Sequence, residues 1–306
     1  MRRTIPVAFI YQSLLILQIT MLLFVKGEDL YWLICFFISP CYNKLKGGGE
    51  MKHFCFTIDD NIRFLKEITE KNYKSIFEHP YLAMCKRLHE EFDLKVQLNL
   101  FYRMEGFALS QMSSAYYSEW EQNSDWLKMS FHSDFENVKP YEFSGYDEVY
   151  RDCNKVNTQI IRFASPAALA KTTTIHYCLT TEEGLKALTD QKVFGLLGLF
   201  GNKEKPRTSY GIEEKKAEKI RKGETQRIGK ISFSAIDIVL NCFSKESILR
   251  QLENIASQSC IKVMIHEQYY YSDYKRYQPD FEDKLRAAFT FLTANGYKSV
   301  FFEDLI

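Results

Sequence analysis

Two short segments carry the residue types that metal-assisted hydrolysis needs. His132-Ser-Asp-Phe-Glu136 sets an imidazole four residues ahead of a carboxylate, a spacing that puts both groups on one face of a helical turn. Asp59-Asp60 close the apolar run His53-Phe-Cys-Phe-Thr-Ile58, which reads as a buried strand. A strand-end aspartate together with a His/Glu pair would give a divalent ion three protein ligands and leave one position for water. That set suits an ion that polarises a carbonyl and acidifies water.

The elements around these residues alternate. Strand-like runs cover 52–58, 95–101, 127–131, 173–177, 193–200, 229–240, 261–265 and 298–302, and helical patterns cover 62–70, 81–92, 146–163, 181–191, 245–257 and 280–295. Ser244 is placed to cap one helix and Asn295-Gly296 to stop another. Such alternation predicts an α/β fold of parallel strands with right-handed crossovers, in an open sheet or a barrel. Catalytic groups of such folds collect at the carboxyl ends of the strands. Asp59-Asp60, His132, His176 and His266 all fall there, on four different strands. Adjacent aspartates in a regular strand point to opposite faces, so Asp59 and Asp60 share a site only if the backbone turns at that point. Structural duties are open to the same groups: an N-cap for the helix at 62–70, a capping His/Glu pair, interior histidines.

Bulk composition narrows the classes. In 306 residues, Lys and Arg total 40 against 39 Asp and Glu, which gives no basic field for nucleic acid. The charged stretch 202–228 mixes both signs and reads as a solvated excursion. Nineteen Tyr and 24 Phe supply a large core, with some left to line a cleft. The eight cysteines have no CxxC and no regular spacing, which predicts reduced core thiols rather than a disulfide framework.

The N-terminal 50 residues stand apart. Residues 7–25 are apolar behind Met1-Arg2-Arg3 and have the length of a signal anchor. Lys46-Gly-Gly-Gly-Glu50, directly before Met51, can be encoded by a purine-rich tract resembling a bacterial ribosome-binding site. The preferred expectation is therefore a start at Met51, a cytoplasmic chain and one domain over 51–306. The other reading is a membrane-anchored protein with a glycine linker.

Taken in order, Thr57-Ile-Asp59-Asp60, His132-Ser133-x-x-Glu136, Arg162 with Pro166, and Ile265-His266 resemble the polysaccharide deacetylases, the NodB-homology or carbohydrate esterase family 4-like group. The resemblance spans essentially 51–306. It implies an irregular (β/α) barrel of about seven parallel strands and a divalent metal, zinc first, with Mn, Co, Ni or Fe also open. It further implies removal of an acetyl group from an N-acetylated sugar or polysaccharide. By the same resemblance Asp59 is the general base, Asp60 and His132 bind metal, Arg162 orients the base and His266 is the general acid. The chain departs from the family pattern where a second motif histidine is replaced by Glu136, so Glu136 or His176 completes the ligand set. Arg162 and Pro166 are more loosely spaced than usual, and no tryptophan follows Asp237. Two rivals remain at this level: a catalytically silent barrel that binds a glycan or partner, and a metal hydrolase of another amide or of a glycosidic bond.

Overall fold

A computed structural model describes residues 51–136, 141–201 and 208–306; the expectations for residues 1–50, including the apolar stretch 7–25, lie outside it. Among the described residues no helix is long and apolar enough to cross a membrane.

Twelve described strands follow one another as β1 (Lys52–Asn61), β2 (Val96–Phe101), β3 (Arg103–Met104), β4 (Phe107–Ala108), β5 (Leu127–Ser133), β6 (Thr172–Thr173), β7 (Gly195–Gly198), β8 (Gln226–Ile228), β9 (Ile231–Ala235), β10 (Ile238–Val239), β11 (Cys260–His266) and β12 (Tyr297–Ser299). The helices between them are α1 (Arg63–Lys71), α2 (Pro80–Phe92), α3 (Tyr117–Gln122), α4 (Tyr146–Phe163), α5 (Glu182–Asp190), α6 (Glu214–Arg221), α7 (Lys245–Ile255) and α8 (Phe281–Ala294). One sheet runs β10-β11-β1-β2-β5, with β12 on β1, and a second runs β6-β7-β9-β8. Pairing is parallel throughout except for the small β3–β4 and β8–β9 ribbons.

Backbone bonds join the two sheets at both margins. Ala170 N donates to Met129 O on one side, and Asp237 N donates to Lys262 O on the other. The walls β1, β2, β5, β6, β7, β9–β10 and β11 thus form an irregular α/β barrel. The run 229–240, expected as a single strand, breaks at Ile236-Asp237 because its first half pairs with β7 and its second with β11.

Strands covered on both faces read as continuous apolar runs, and β1 shows what each face does. Phe54, Phe56 and Ile58 pack outward into the helix layer, where Phe289 of α8 meets the Phe56 ring edge-on at 4.9 Å. Cys55 faces inward onto Leu197, Met264 and Phe302. Higher up, the interior turns polar: the Gln97 amide donates to Asn99 Oδ1 at 2.8 Å and to Thr172 O at 2.9 Å. Each of these polar groups is buried and partnered, as interior burial requires. The six described cysteines form no disulfide.

The helix at 62–70 starts in an unexpected way. Ile62, at its N-cap, offers no side-chain cap. Its terminal N–H groups are taken from a distance by Glu267, whose carboxylate accepts from Ile62, Arg63 and Phe64 at 2.7, 3.1 and 2.8 Å. An anion at a helix N-terminus satisfies orphan donors and opposes the helix dipole. The contact also ties the segment after β11 to the segment after β1, and both border the site.

Candidate active site

Asp59 and Asp60 reach the same cavity because β1 is bulged. Its pairing with β2 steps from Ile58↔Leu98 to Asn61↔Leu100, one extra residue on β1, and Asp60 takes a left-handed φ of 62°. A bulge of this kind re-aims a side chain without ending the strand, which replaces the expected strand end. Asn61 holds the distortion: its amide donates to Ile58 O at 2.5 Å and to Asn99 O at 3.3 Å, while Tyr81 Oη donates to Asn61 Oδ1 at 2.8 Å. A non-glycine residue in that region costs of order 1 kcal/mol or more and persists where its surroundings over-determine it.

Three side chains converge beside the bulge. Asp60 Oδ1 lies 3.0 Å from His132 Nε2 and 3.3 Å from His176 Nδ1, and the two imidazole nitrogens are 3.1 Å apart. Ligand atoms bonded tetrahedrally to zinc at ~2.0–2.1 Å would be about 3.3 Å from one another. The observed triangle fits a single ion, and a carboxylate with two imidazoles is a donor set that divalent transition metals accept.

The outer atoms of the three side chains are also engaged. His132 Nδ1 donates to Thr174 O at 2.5 Å, and His176 Nε2 donates to Glu136 O at 2.9 Å. A carbonyl only accepts, so each ring carries a proton on that outer nitrogen and presents the inner one to the cluster. Asp60 Oδ2 accepts from the Gln268 amide at 2.6 Å.

Electrostatics separates the two aspartates. Burial pushes the Asp59 carboxyl above its usual value, with His132 and His266 pulling against it. Burial would raise Asp60 as well, yet hydrogen bonds from His132 and His176, with charge from His132 and His266, hold it well below the carboxylate range. His132 is raised: its burial favours the neutral ring, but Asp59 and Asp60 outweigh it. Asp60 is therefore an anion set among imidazoles, and Asp59 the more basic carboxylate.

Three of the residues singled out in the sequence are placed differently in the structure. Glu136 does not join the triangle through its carboxylate. The strand continues to Ser133 and the backbone bends at Asp134, so 132–136 is not a helical turn and the i,i+4 argument lapses. Glu136 sits exposed at the cavity rim and contributes its backbone carbonyl to His176. His176 fills the third corner from a tight 3-10 turn, not from a strand: β6 ends at Thr173, and Tyr177 and Cys178 have φ of 64° and 57°. Arg162 lies in the last turn of α4, donating to Gln159 Oε1 at 2.6 Å and Leu109 O at 2.9 Å. The group that orients Asp59 is Asn99, whose Nδ2 donates to Asp59 Oδ1 at 2.6 Å.

His266 ends β11 directly opposite Asp59 in register. Its Nδ1 meets Asn241 Oδ1 at 2.9 Å, which fixes the ring and assigns the proton to that nitrogen. A cavity of about 470 Å³ opens beside Asp60, lined among others by Arg63, Phe101, Arg103, Glu136, Gln268 and Tyr274. Asn99 and Gln97 had a signal in the sequence, since they alternate with Val96, Leu98 and Leu100 in a strand buried on both faces. Asn241 and Gln268 had none.

No protein-family model matches the chain, and no curated protein matches it by sequence. Solved structures do match. A 4-alpha-glucanotransferase from Thermococcus litoralis superposes with a TM-score of 0.54 at 13% identity over 84% of this chain; the chain spans 40% of that enzyme. A protein from Mycobacterium smegmatis assigned as a polysaccharide deacetylase superposes with a TM-score of 0.51 at 6% identity, over 85% of this chain and 91% of its own. A peptidoglycan N-acetylglucosamine deacetylase matches at a TM-score of 0.49 and 12% identity, over 85% of this chain and 90% of its own. At these identities the likeness is one of fold. The chain shares its mostly parallel α/β fold with the glucanotransferase and with the Mycobacterium smegmatis protein.

Proposed function

We propose that the protein is a metal-dependent hydrolase that removes the acetyl group from an N-acetylated sugar or polysaccharide. The observation that carries this reading is the convergence of Asp60 Oδ1, His132 Nε2 and His176 Nδ1 on one point, with Asp59 and His266 opposite each other at the adjoining strand ends. A divalent ion held by Asp60, His132 and His176 would polarise the amide carbonyl and lower the pKa of water. Two imidazoles and a carboxylate keep zinc first among the candidates, with Mn, Co, Ni or Fe also accommodated.

Asp59 takes a proton from the attacking water, and its raised basicity suits that task. Asn99 holds Asp59 Oδ1, which leaves the other carboxylate oxygen for the proton. The water oxygen bonds to the acetyl carbon, the C–N bond breaks, and His266 delivers a proton from Nε2 to the departing amine nitrogen. The Asn241 contact at Nδ1 holds the ring with Nε2 left for that transfer. Acetate and a free amino group are the products. The glucanotransferase and the Mycobacterium smegmatis protein, which superpose at TM-scores of 0.54 and 0.51, carry sugar-acting names, which supports a carbohydrate substrate.

The test is acetate release from N-acetylglucosamine oligomers by protein reconstituted with Zn, Co or Mn. Metal-dependent release that Asp59→Asn abolishes supports the reading. Hydrolysis unaffected by chelation, or no release from any N-acetylated sugar by metal-loaded protein, overturns it.

A further inference from the structure

We propose that Gln268 is a positioning residue that makes Asp60 a single-oxygen ligand and thereby sets the metal affinity of the site. The inference rests on the metal reading above and extends it to a residue outside the ligand triangle.

Each corner of the triangle has one outer partner. For His132 and His176 that partner is a backbone carbonyl, of Thr174 and Glu136. For Asp60 it is a side chain, the Gln268 amide, at 2.6 Å from Oδ2. Oδ1 faces both imidazoles while Oδ2 is bound to Gln268, so the two carboxylate oxygens have separate duties. A carboxylate with both oxygens free can rotate or chelate an ion with both. Here the amide removes that freedom, because turning Oδ2 towards the cluster would break a short hydrogen bond to a charged acceptor. Gln268 is neutral, so it fixes Asp60 without cancelling the negative charge that attracts the ion.

Gln268 is itself held in place. It follows Glu267, whose buried carboxylate is bonded to three backbone N–H groups at the start of α1 and to Tyr271 Oη at 3.0 Å. The Gln268 amide serves Asp60 and also lies against the Tyr274 hydroxyl, while Gln268 Oε1 is buried without a partner among the described residues. Outer partners of metal ligands of this kind typically change affinity by ~10–100-fold when removed.

The test is Gln268→Met, close in size and unable to donate. Metal affinity is measured by competition against a chelating indicator, with the visible spectrum of the Co(II)-loaded protein and thermal unfolding of the chelated protein alongside. The expected result is a loss of about 10–100-fold in affinity, a changed Co(II) spectrum as Oδ2 becomes free to coordinate, and unchanged unfolding of the chelated protein. Affinity within twofold of the parent with an identical Co(II) spectrum overturns the proposal. Asp60→Ala separates the two levels. If the parent binds one ion and Asp60→Ala loses it while Gln268→Met does not, only the role of Gln268 falls; if the parent binds no stoichiometric ion, both fall.

Discussion

Replacing Glu267 by alanine probes the clamp that joins the two halves of the site. In the folded protein this carboxylate has no solvent exposure and accepts from Ile62, Arg63 and Phe64 at the start of α1. Hydrogen bonds to a charged group contribute about 1.5–3 kcal/mol each, so three of them amount to roughly 5–9 kcal/mol gross. Burial opposes this and outweighs the three N–H groups and Tyr271, so that the carboxyl is raised from 4.5 to about 7. Glu267→Ala leaves three N–H groups at the start of α1 without their acceptor, at about 1–3 kcal/mol each, so a destabilisation of about 3 kcal/mol or more is expected at pH 8. The pH dependence has a definite sign. With its pKa raised on folding, the group contributes stability that is fully present below about 4.5 and lost as pH rises through about 7. The variant lacks that component, so its deficit relative to the parent grows by about 2–3 kcal/mol between pH 8 and pH 5. Urea unfolding of chelated protein at both pH values measures it. A deficit below 1 kcal/mol, or one that does not grow towards pH 5, refutes the reasoning.

Three further outcomes follow from the site. Glu136→Ala should change metal affinity less than about threefold, because the carbonyl of residue 136 survives the substitution, whereas His176→Ala should lower it more than about 100-fold; isothermal titration distinguishes them. Asp59→Asn and His266→Ala should each lose roughly 10²–10⁴-fold in turnover on an N-acetylated sugar while keeping metal content and melting temperature, with one limb missing from each pH–rate profile. Arg162→Ala should keep turnover within about threefold and cost about 1 kcal/mol in denaturant unfolding, since it removes surface hydrogen bonds to the 109–110 carbonyls.

What the sequence disclosed depended on the range of the interactions involved. Apolar runs and helical periodicity located β1, α4 and α8 to within a residue or two at most ends, because those signals are written in the element itself. The polar residues that follow apolar runs drew attention to Asp59, Asp60, His132 and His266 for the same reason, whereas His176, expected late in a strand, lies in a 3-10 turn. The failures lie where a partner is remote. The bulge at Asp60 depends on Asn61, Tyr81 and Asn99, and no local pattern announces it. Spacing suggested a helical turn at 132–136, but pairing with β2 keeps His132 and Ser133 in the strand. The cap of α1 comes from about 200 residues downstream. Arg162 was singled out by its distance from a proline, and the end of α4 carries it to the 109–110 carbonyls instead.

The most direct test of the account is the anomalous scattering map of a crystal of the zinc-loaded protein. The account predicts one peak at bonding distance, ~2.0–2.2 Å, from Asp60 Oδ1, His132 Nε2 and His176 Nδ1, with the Glu136 carboxylate outside the coordination sphere. A peak bound by the Glu136 carboxylate in place of His176, or no ordered zinc among these three side chains, would contradict it.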